Sequence, residues 1–284
     1  MVKKAHLITG KGGVGKSLFS TVLAHNISTQ NQQVLLSELA EYSFFRDYLN
    51  LPDISYKPIP WKLNLEVSQW RPEDCLKEYC LHLLKIESLY KLFFENPVSK
   101  SLIQIAPGLH ELALLGKMTS SPRQHGPAMK YDQIVIDSFS TGHFLSLLRA
   151  PAALNEAVPF GPMGEQSKSI DSWIRNPDFT EVHIVTLAEE LPITESIELF
   201  LQLKKEFNIE AKMYLNKISG LNESDLLDLS DEAKSSLDNI LKSEVEARIK
   251  LKSANINFVE LPLVTSLEVS VLIETLAKNL KASK

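Results

Sequence analysis

Residues Gly10-Lys11-Gly12-Gly13-Val14-Gly15-Lys16-Ser17 carry the strongest structural signal in the chain. They fit the pattern G-x-x-x-x-G-K-[ST] and hold four of the chain's eleven glycines. An apolar strand over Ala5–Ile8 precedes them, and an amphipathic helix over about Ser17–Thr29 follows. Glycines let successive backbone N–H groups turn inward around an anion, and the helix N-terminus adds its dipole. The sequence therefore predicts a phosphate-binding loop between a strand and a helix.

The side chains of this loop predict where a nucleotide and a magnesium ion bind. Lys16 is expected to reach the β- and γ-phosphates, and the Ser17 hydroxyl is expected to bind Mg²⁺. Asp137 ends a predicted strand over Gln133–Ile136, where an acid can hold the water shell of Mg²⁺. Ser17 and Asp137 are thus the candidate metal residues. The other candidate nucleotide contacts in the loop and the first helical turn are Gly12, Gly13, Val14, Gly15 and Leu18.

Short apolar strands alternate with amphipathic helices along the rest of the chain. Further strands are predicted at about residues 33–36, 63–67, 182–186, 211–215 and 258–261. Helical periodicity covers residues 72–94, 107–117, 194–207, 231–253 and 267–280. This order predicts an α/β fold with a mostly parallel sheet and helices on both faces, which binds ligands at the carboxyl ends of its strands. We expect one domain over residues 1–284, with a small helical elaboration around 72–118.

Composition excludes several other classes of protein. The 284 residues include 30 Lys+Arg and 35 Asp+Glu, so the net charge of −5 makes nucleic acid an unexpected partner. No signal peptide and no uninterrupted run of about 18 apolar residues is visible, so a cytoplasmic protein without a membrane span is expected. Cys75 and Cys80 are the chain's two cysteines, which argues against a disulfide scaffold and predicts packed core thiols.

Two motifs resemble a known family. Lys11 makes the loop similar to the deviant Walker A motif, G-K-G-G-V-G-K-[ST]. Residues 137–151 read D-S-F-S-T-G-H-F-L-S-L-L-R-A-P, which resembles D-T-A-P-T-G-H-T-L-R-x-L-x-x-P, the switch II segment of the arsenical-pump ATPase family. That family also contains the ATPase that delivers tail-anchored membrane proteins. Residues 107–112, 185–196 and 214–217 are similar to further segments of the family.

The resemblance implies a P-loop NTPase of the deviant Walker A class that binds ATP and Mg²⁺. It implies an ATP-dependent homodimer in which Lys11 reaches the partner's phosphates, so Lys11, Lys16 and Asp137 are the candidate catalytic residues. Gly142 is expected to offer its N–H to the γ-phosphate, Asn216 to read the adenine edge, and Pro262 to lie near the base. A protein partner of unknown identity is also expected, with membrane contact only through that partner.

The match breaks in three places. The family's switch I segment is D-P-A-H-N-L-S-D, and its first Asp, which positions the attacking water, falls on Ala40, so slow hydrolysis is expected. Glu38 and Glu41 are the neighbouring carboxylates, and Asp47 matches the motif's last Asp. The family's C-x-x-C zinc pair is missing. The client-binding insertion is short, and the prolines and glycines at 159–164 are expected to interrupt any helix over 152–180.

Two other functions fit the same residues. A nucleotide-binding scaffold that barely hydrolyses ATP is one alternative, because Ala40 removes the expected catalytic acid. A positioning ATPase of the Min or Par type is the other, because it shares Lys11, and because residues 267–284 place three lysines opposite Leu272, Leu276 and Leu280.

Overall fold

The structure, a computed structural model, describes residues 2–84, 108–221 and 230–282. The strands of these residues are β1 Lys4–Thr9, β2 Val34–Glu38, β3 Ile59–Lys62, β4 Leu65–Gln69, β5 Gln133–Asp137, β6 Thr180–Leu187, β7 Lys212–Ile218 and β8 Phe258–Pro262. The α-helices are α1 Lys16–Ser28, α2 Phe44–Tyr48, α3 Pro72–Leu84, α4 Leu109–Met118, α5 Ser120–Arg123, α6 Thr141–Ala157, α7 Gly161–Ile174, α8 Glu190–Gln202, α9 Asp231–Ser253 and α10 Val269–Ala282, and a π-helical turn, Leu203–Phe207, follows α8.

The strands form one sheet in the order β3-β4-β2-β5-β1-β6-β7-β8. Every neighbouring pair is parallel except β3 and β4, which form an antiparallel hairpin at one edge. The predicted α/β class is therefore confirmed. The strand predicted over 63–67 begins at Leu65 instead, because Leu63 and Asn64 form the turn of the hairpin, and Asn64 takes the left-handed φ of 59° that Asn tolerates.

Helices cover both faces of the sheet because the central strands bury alternate side chains on opposite sides. In β1, Leu7 packs into the core beneath α4, α6 and α8, whereas Ile8 packs on the face covered by α1 and α10. Both side chains are at most 1% exposed. Burying a side chain of this kind contributes roughly 1.5–3 kcal/mol each, so the two apolar layers hold the carboxyl edge of the sheet in a fixed geometry.

The expected interruption of a helix over 152–180 is present at residues 158–160, which include Pro159, although Gly161, Pro162 and Gly164 lie within the helix that follows. Helix α6 continues through Pro151 to Ala157, and α7 begins at Gly161. Gly161 has φ of 81°, so a glycine makes the bend between the two helices, and the proline that follows lies in the first turn of α7. A first-turn proline costs little, because its missing N–H has no intrahelical partner to lose.

The helix predicted over 72–94 is present as far as Leu84, and residues 85–107, including the start of the segment predicted at 107–112, lie outside the described residues. Cys75 and Cys80 are buried free thiols, as predicted. Burial raises the pKa of Cys75 to about 12 and that of Cys80 to about 11, so both stay protonated. Among the described residues, no helix has the length and apolarity needed to cross a membrane.

Candidate nucleotide site

The residues predicted to bind nucleotide lie along the carboxyl edge of the central strands. The glycine-rich loop joins the end of β1 to α1, and Lys16, Ser17 and Leu18 form the first turn of that helix. Asp137 ends β5, which pairs with β1. Parallel strands bring their carboxyl ends to one edge, so the fold places the loop and Asp137 side by side.

The backbone of the loop requires glycine at particular positions. Gly13 and Gly15 have φ of 85° and 96°, and Gly15 is the N-cap of α1. A Cβ on Gly15 would lie 2.6 Å from Nδ2 of Asn216, and one on Gly10 would lie 2.1 Å from the Val185 carbonyl oxygen. The loop is therefore fixed both by its left-handed turns and by close approach to two neighbouring strands.

Asn216 contacts the loop directly. Its Nδ2 donates a hydrogen bond of 2.9 Å to the carbonyl oxygen of Val14, and the side chain is buried. Its neighbour Lys217 has φ of 58° where the pairing of β7 and β8 is irregular. Pro262 ends β8 and pairs with Ile218, which places it on the same edge of the sheet. Asn216 thus anchors the loop, a contact that the sequence did not reveal.

Asp137 and the first turns of α1 form a compact polar cluster. The Ser17 hydroxyl donates to Oδ2 of Asp137 at 2.6 Å, and the Ser20 hydroxyl is 3.2 Å from Oδ1. The Ser20 hydroxyl also donates to the Lys16 carbonyl oxygen. Ser17 and Ser20 are three residues apart and therefore share one helix face. This spacing is the sequence signal that could have identified Ser20. Hydroxyl and carboxylate oxygens are ligands that Mg²⁺ accepts.

Charge is only partly compensated at this cluster. Nζ of Lys16 lies 3.1 Å from the Lys11 carbonyl oxygen, and burial lowers the pKa of Lys16 although the Asp137 carboxylate opposes this. Burial likewise raises the pKa of Asp137, against hydrogen bonding from Ser17 and the charge of Lys16. Phosphate oxygens at Lys16 and a divalent cation at Asp137 would offset these desolvation costs, so the residues fit both groups.

Lys11 makes an ion pair within the chain. Nζ of Lys11 lies 2.8 Å from Oε1 of Glu195 on α8, and Oε2 of Glu195 accepts a hydrogen bond of 3.3 Å from the Thr141 hydroxyl. Thr141 is the first residue of α6. The segment at 185–196, which resembles the family, includes Glu195. The sequence did not predict the contact of Glu195 with Lys11, because the two residues are far apart in the chain.

The end of β2 places one carboxylate next to Asp137. Glu38 and Asp137 end neighbouring strands and stand opposite each other in the sheet register. Glu38 is buried, and its carboxylate accepts hydrogen bonds from the Ser43 hydroxyl and the Phe44 backbone N–H. Burial raises the pKa of Glu38 despite these bonds. Glu41 and Asp47 are exposed instead. Glu38 is therefore the best-placed acid near Ala40, but both of its oxygens already have partners.

The beginning of α6 faces solvent at the same edge. Gly142 and His143 are exposed, and a Cβ built on Gly142 would meet no atom within 4 Å. The His143 ring lies edge-on to Phe139 with 6.3 Å between centroids. The packing around position 142 leaves room for a side chain, so it does not explain the glycine there. Close approach of another group to this part of the backbone would explain it.

Fold and site together define a P-loop NTPase: a parallel sheet, a glycine-rich loop entering a helix, and an acid at the end of the adjacent strand. The chain belongs to the anion-transporting ATPase family, whose sequence profile matches residues 3–161. Membership of this family supports a nucleotide-dependent ATPase function.

Named relatives agree with this family. The ATPase BagA of Mycobacterium tuberculosis is 26% identical over 266 residues, which cover 89% of this chain and 76% of the relative. An arsenical pump-driving ATPase of Acidiphilium multivorum is 26% identical over 206 residues, covering 70% of this chain and 32% of that protein. A putative arsenical pump-driving ATPase of Aquifex aeolicus is 22% identical over 252 residues, or 75% of this chain and 62% of the relative.

Proposed function

We propose that this protein is an ATP- and Mg²⁺-dependent dimeric switch that hydrolyses ATP slowly. The observation that carries the proposal is the contact of 2.6 Å between Ser17 and Asp137 at the N-terminus of a P-loop helix. This contact brings together the two side chains that are proposed to hold Mg²⁺. Family membership supplies the ATPase function in general, and the dimer and the slow rate are the finer claims.

In the proposed complex, Lys16 exchanges the Lys11 carbonyl oxygen for the β- and γ-phosphates. The N–H groups of Gly12, Gly13, Val14 and Gly15 surround the phosphates, and Leu18 borders them from the first turn of α1. Mg²⁺, when bound, supplies positive charge at the phosphates, held by the Ser17 hydroxyl and by water oriented on Asp137. Gly142 offers its N–H to the γ-phosphate. Asn216 and Pro262 border the base.

Dimerisation is proposed from Lys11. Lys11 is paired with Glu195, and both side chains are about 30% exposed. An ion pair of that exposure contributes only about 0.2–1 kcal/mol, so phosphates of a partner subunit's nucleotide can displace it. Tyr42 and Phe44 of switch I are 83% and 50% exposed close to the same edge, and they offer aromatic surface to a second subunit or a protein partner.

Slow hydrolysis is proposed from switch I. Ala40 has no group to orient water, and the adjacent carboxylate of Glu38 is engaged by Ser43 and Phe44. A positioned general base contributes about 10²–10⁴-fold to a rate, so its absence is expected to lower turnover on that scale. The nearly inactive scaffold is the same site with still lower turnover, and the same observation on Ala40 favours it as the second candidate.

The Min or Par alternative gains no support from α10. Leu276 and Leu280 are buried against the helix layer that contains α1, which accounts for the apolar stripe of the last helix without a membrane.

Calorimetric titration with Mg-ATP, followed by a single-turnover hydrolysis assay, tests the function. We expect one nucleotide per chain, binding lost in Lys16→Ala, and hydrolysis that is slow but above the rate in buffer. No binding by the wild-type chain would overturn the proposal. Turnover at zero with binding intact would replace it with the scaffold.

A further inference from the structure

Two histidines and a glutamate converge in the sheet, away from the phosphate loop. His6 lies on β1, and Glu181 and His183 lie on the neighbouring strand β6, with His6 opposite Glu181 in the register. Nδ1 of His6 is 3.0 Å from Nε2 of His183. Oε1 of Glu181 is 3.6 Å from the first nitrogen and 3.2 Å from the second. Both histidines are at most 5% exposed.

We propose that His6, Glu181 and His183 form a binding site for a divalent transition-metal ion, with Zn²⁺ as the fitting ion. Zinc bonds to histidine nitrogen and carboxylate oxygen are about 2.0–2.2 Å, so adjacent ligand atoms of a tetrahedral ion stand about 3.3–3.6 Å apart. The three distances in the cluster, 3.0, 3.2 and 3.6 Å, are close to one face of that tetrahedron. The fourth position remains for a water molecule.

The outer partners of the histidines match those of metal ligands. Nε2 of His6 lies 2.7 Å from Oε1 of Gln133, whose own amide nitrogen is directed to Gln32. A carbonyl oxygen at Nε2 holds the proton there and leaves the Nδ1 lone pair facing the cluster. Nδ1 of His183 lies 3.2 Å from the Tyr214 hydroxyl, whose oxygen can accept a hydrogen bond from Nδ1–H when Nε2 binds metal. Such partners fix ligand tautomers in metal sites.

Two lysines already contact the carboxylate. Nζ of Lys212 is 2.8 Å from Oε1 of Glu181, and Nζ of Lys4 is 3.1 Å from Oε2. A cation at Oε1 must displace the Lys212 ammonium, whose side chain is 53% exposed and can return to water. Lys4 keeps the second oxygen. Competition from Lys212 lowers metal affinity but does not move the three ligand atoms of His6, Glu181 and His183. We therefore expect metal affinity to rise when Lys212 is removed.

The site is distinct from the nucleotide site and points to a structural role. His183 stacks on Tyr214 with 5.6 Å between centroids, and Phe19 of α1 lies 4.3 Å from the same tyrosine ring. His6 is the third residue of β1 and precedes Gly10 by four residues. An ion here links β1 to β6 beneath α1, so binding to the folded state alone stabilises the fold.

Metal titration of the full chain tests the proposal. After treatment with chelator, the protein is titrated with Zn²⁺ against a chromophoric chelator, and with Co²⁺ while the visible spectrum is recorded. We expect one Zn²⁺ per chain, a tetrahedral Co²⁺ spectrum and a higher Tm with Zn²⁺. His6→Gln should lose this binding by more than 100-fold, and Tyr214→Phe should weaken it by about 10–100-fold. Lys212→Met should strengthen it.

His82→Gln is the matched control, because His82 is an exposed histidine of α3 outside the cluster. It should bind Zn²⁺ as the wild-type chain does. If His6→Gln fails to fold, Zn²⁺ binding by Tyr214→Phe is the deciding measurement, because this variant loses only one hydroxyl group and is expected to fold. Absence of stoichiometric Zn²⁺ binding, or binding unchanged in Tyr214→Phe and His6→Gln, would leave only a hydrogen-bonded histidine pair and overturn the proposal.

Discussion

Nζ of Lys11 lies 2.8 Å from Oε1 of Glu195 in the same chain, and the other oxygen of Glu195 accepts a hydrogen bond from Thr141. One carboxylate thus holds both the lysine proposed to leave for the partner's nucleotide and the first residue of the α6 helix. Closure of the proposed dimer has to break the first contact, and a shift of α6 breaks the second. Glu195 is therefore placed to couple the two events.

Releasing Lys11 should favour the dimer. In Glu195→Gln the ion pair is lost, so we expect dimers at lower protein concentration in Mg-ATP. The dimer dissociation constant should fall by up to about five-fold for each ion pair lost, because a partly exposed ion pair contributes up to about 1 kcal/mol. Sedimentation equilibrium at several concentrations measures it. Glu198→Gln, which alters an exposed glutamate of the same helix, is the control and should leave the constant unchanged. Weaker association of Glu195→Gln would mean that Glu195 belongs to the dimer instead.

The two serines that contact Asp137 should differ in importance. Ser17→Ala removes a proposed Mg²⁺ ligand, and hydrogen bonds to charged groups are worth about 1.5–3 kcal/mol, so Mg-ATP affinity should fall about 10- to 100-fold. Ser20→Ala removes only a contact that orients the carboxylate and should cost less than about five-fold. Calorimetry with and without Mg²⁺ separates the two, since neither variant should differ from wild type in chelator. Equal losses in both variants would contradict the assignment.

Asp137 should destabilise the nucleotide-free fold as pH rises. Because burial raises its pKa in the folded state, the folded chain binds a proton more tightly than the unfolded chain does. The contribution of Asp137 to the free energy of unfolding should therefore fall as pH increases above about 4, so the wild type should lose stability relative to Asp137→Asn over that range. Burial also raises the pKa of Glu38, so this carboxyl group makes a contribution of the same sign, and that contribution remains in Asp137→Asn. Denaturant unfolding across pH measures the slope. A steeper fall in Asp137→Asn would show that the carboxylate stabilises the fold.

Restoring an acid at position 40 should accelerate hydrolysis. Ala40→Asp supplies the carboxylate that the family motif has there, and general-base catalysis typically contributes about 10²–10⁴-fold. We expect a single-turnover rate at least about ten-fold above wild type, with ATP affinity little changed. Ala40→Asn has nearly the same shape without the charge and should stay at the wild-type rate. If both variants match wild type, the slow step lies elsewhere, and Ala40 does not explain the rate.

Much of the fold could be predicted because its signals are local. The glycines of the loop, the apolar run ending at Asp137 and the periodicity of residues 231–253 each depend on neighbours in sequence. The parallel order of strands then follows from the intervening helices. The break near Pro159 could also be predicted, but the sequence did not show that Gly161 and Pro162 begin a new helix, because glycine and proline suit a bend followed by a first helical turn.

The contacts that matter most for mechanism join distant parts of the chain and had no local pattern. Lys11 and Glu195 are 184 positions apart, and His6 and His183 are 177 apart. Asn216 could be assigned to a strand end from its sequence, but its bond to Val14 depends on β7 lying two strands from β1. Sequence alone names such residues but does not pair them.

Solution mass by multi-angle light scattering, without nucleotide, with Mg-ADP and with Mg-ATP, is the sharpest test of the nucleotide-dependent switch. We expect a monomer that becomes a dimer only with Mg-ATP. We also expect Lys11→Ala to bind Mg-ATP and to remain a monomer. A mass that ignores the nucleotide, or a Lys11→Ala chain that dimerises as wild type does, would contradict the nucleotide-dependent switch.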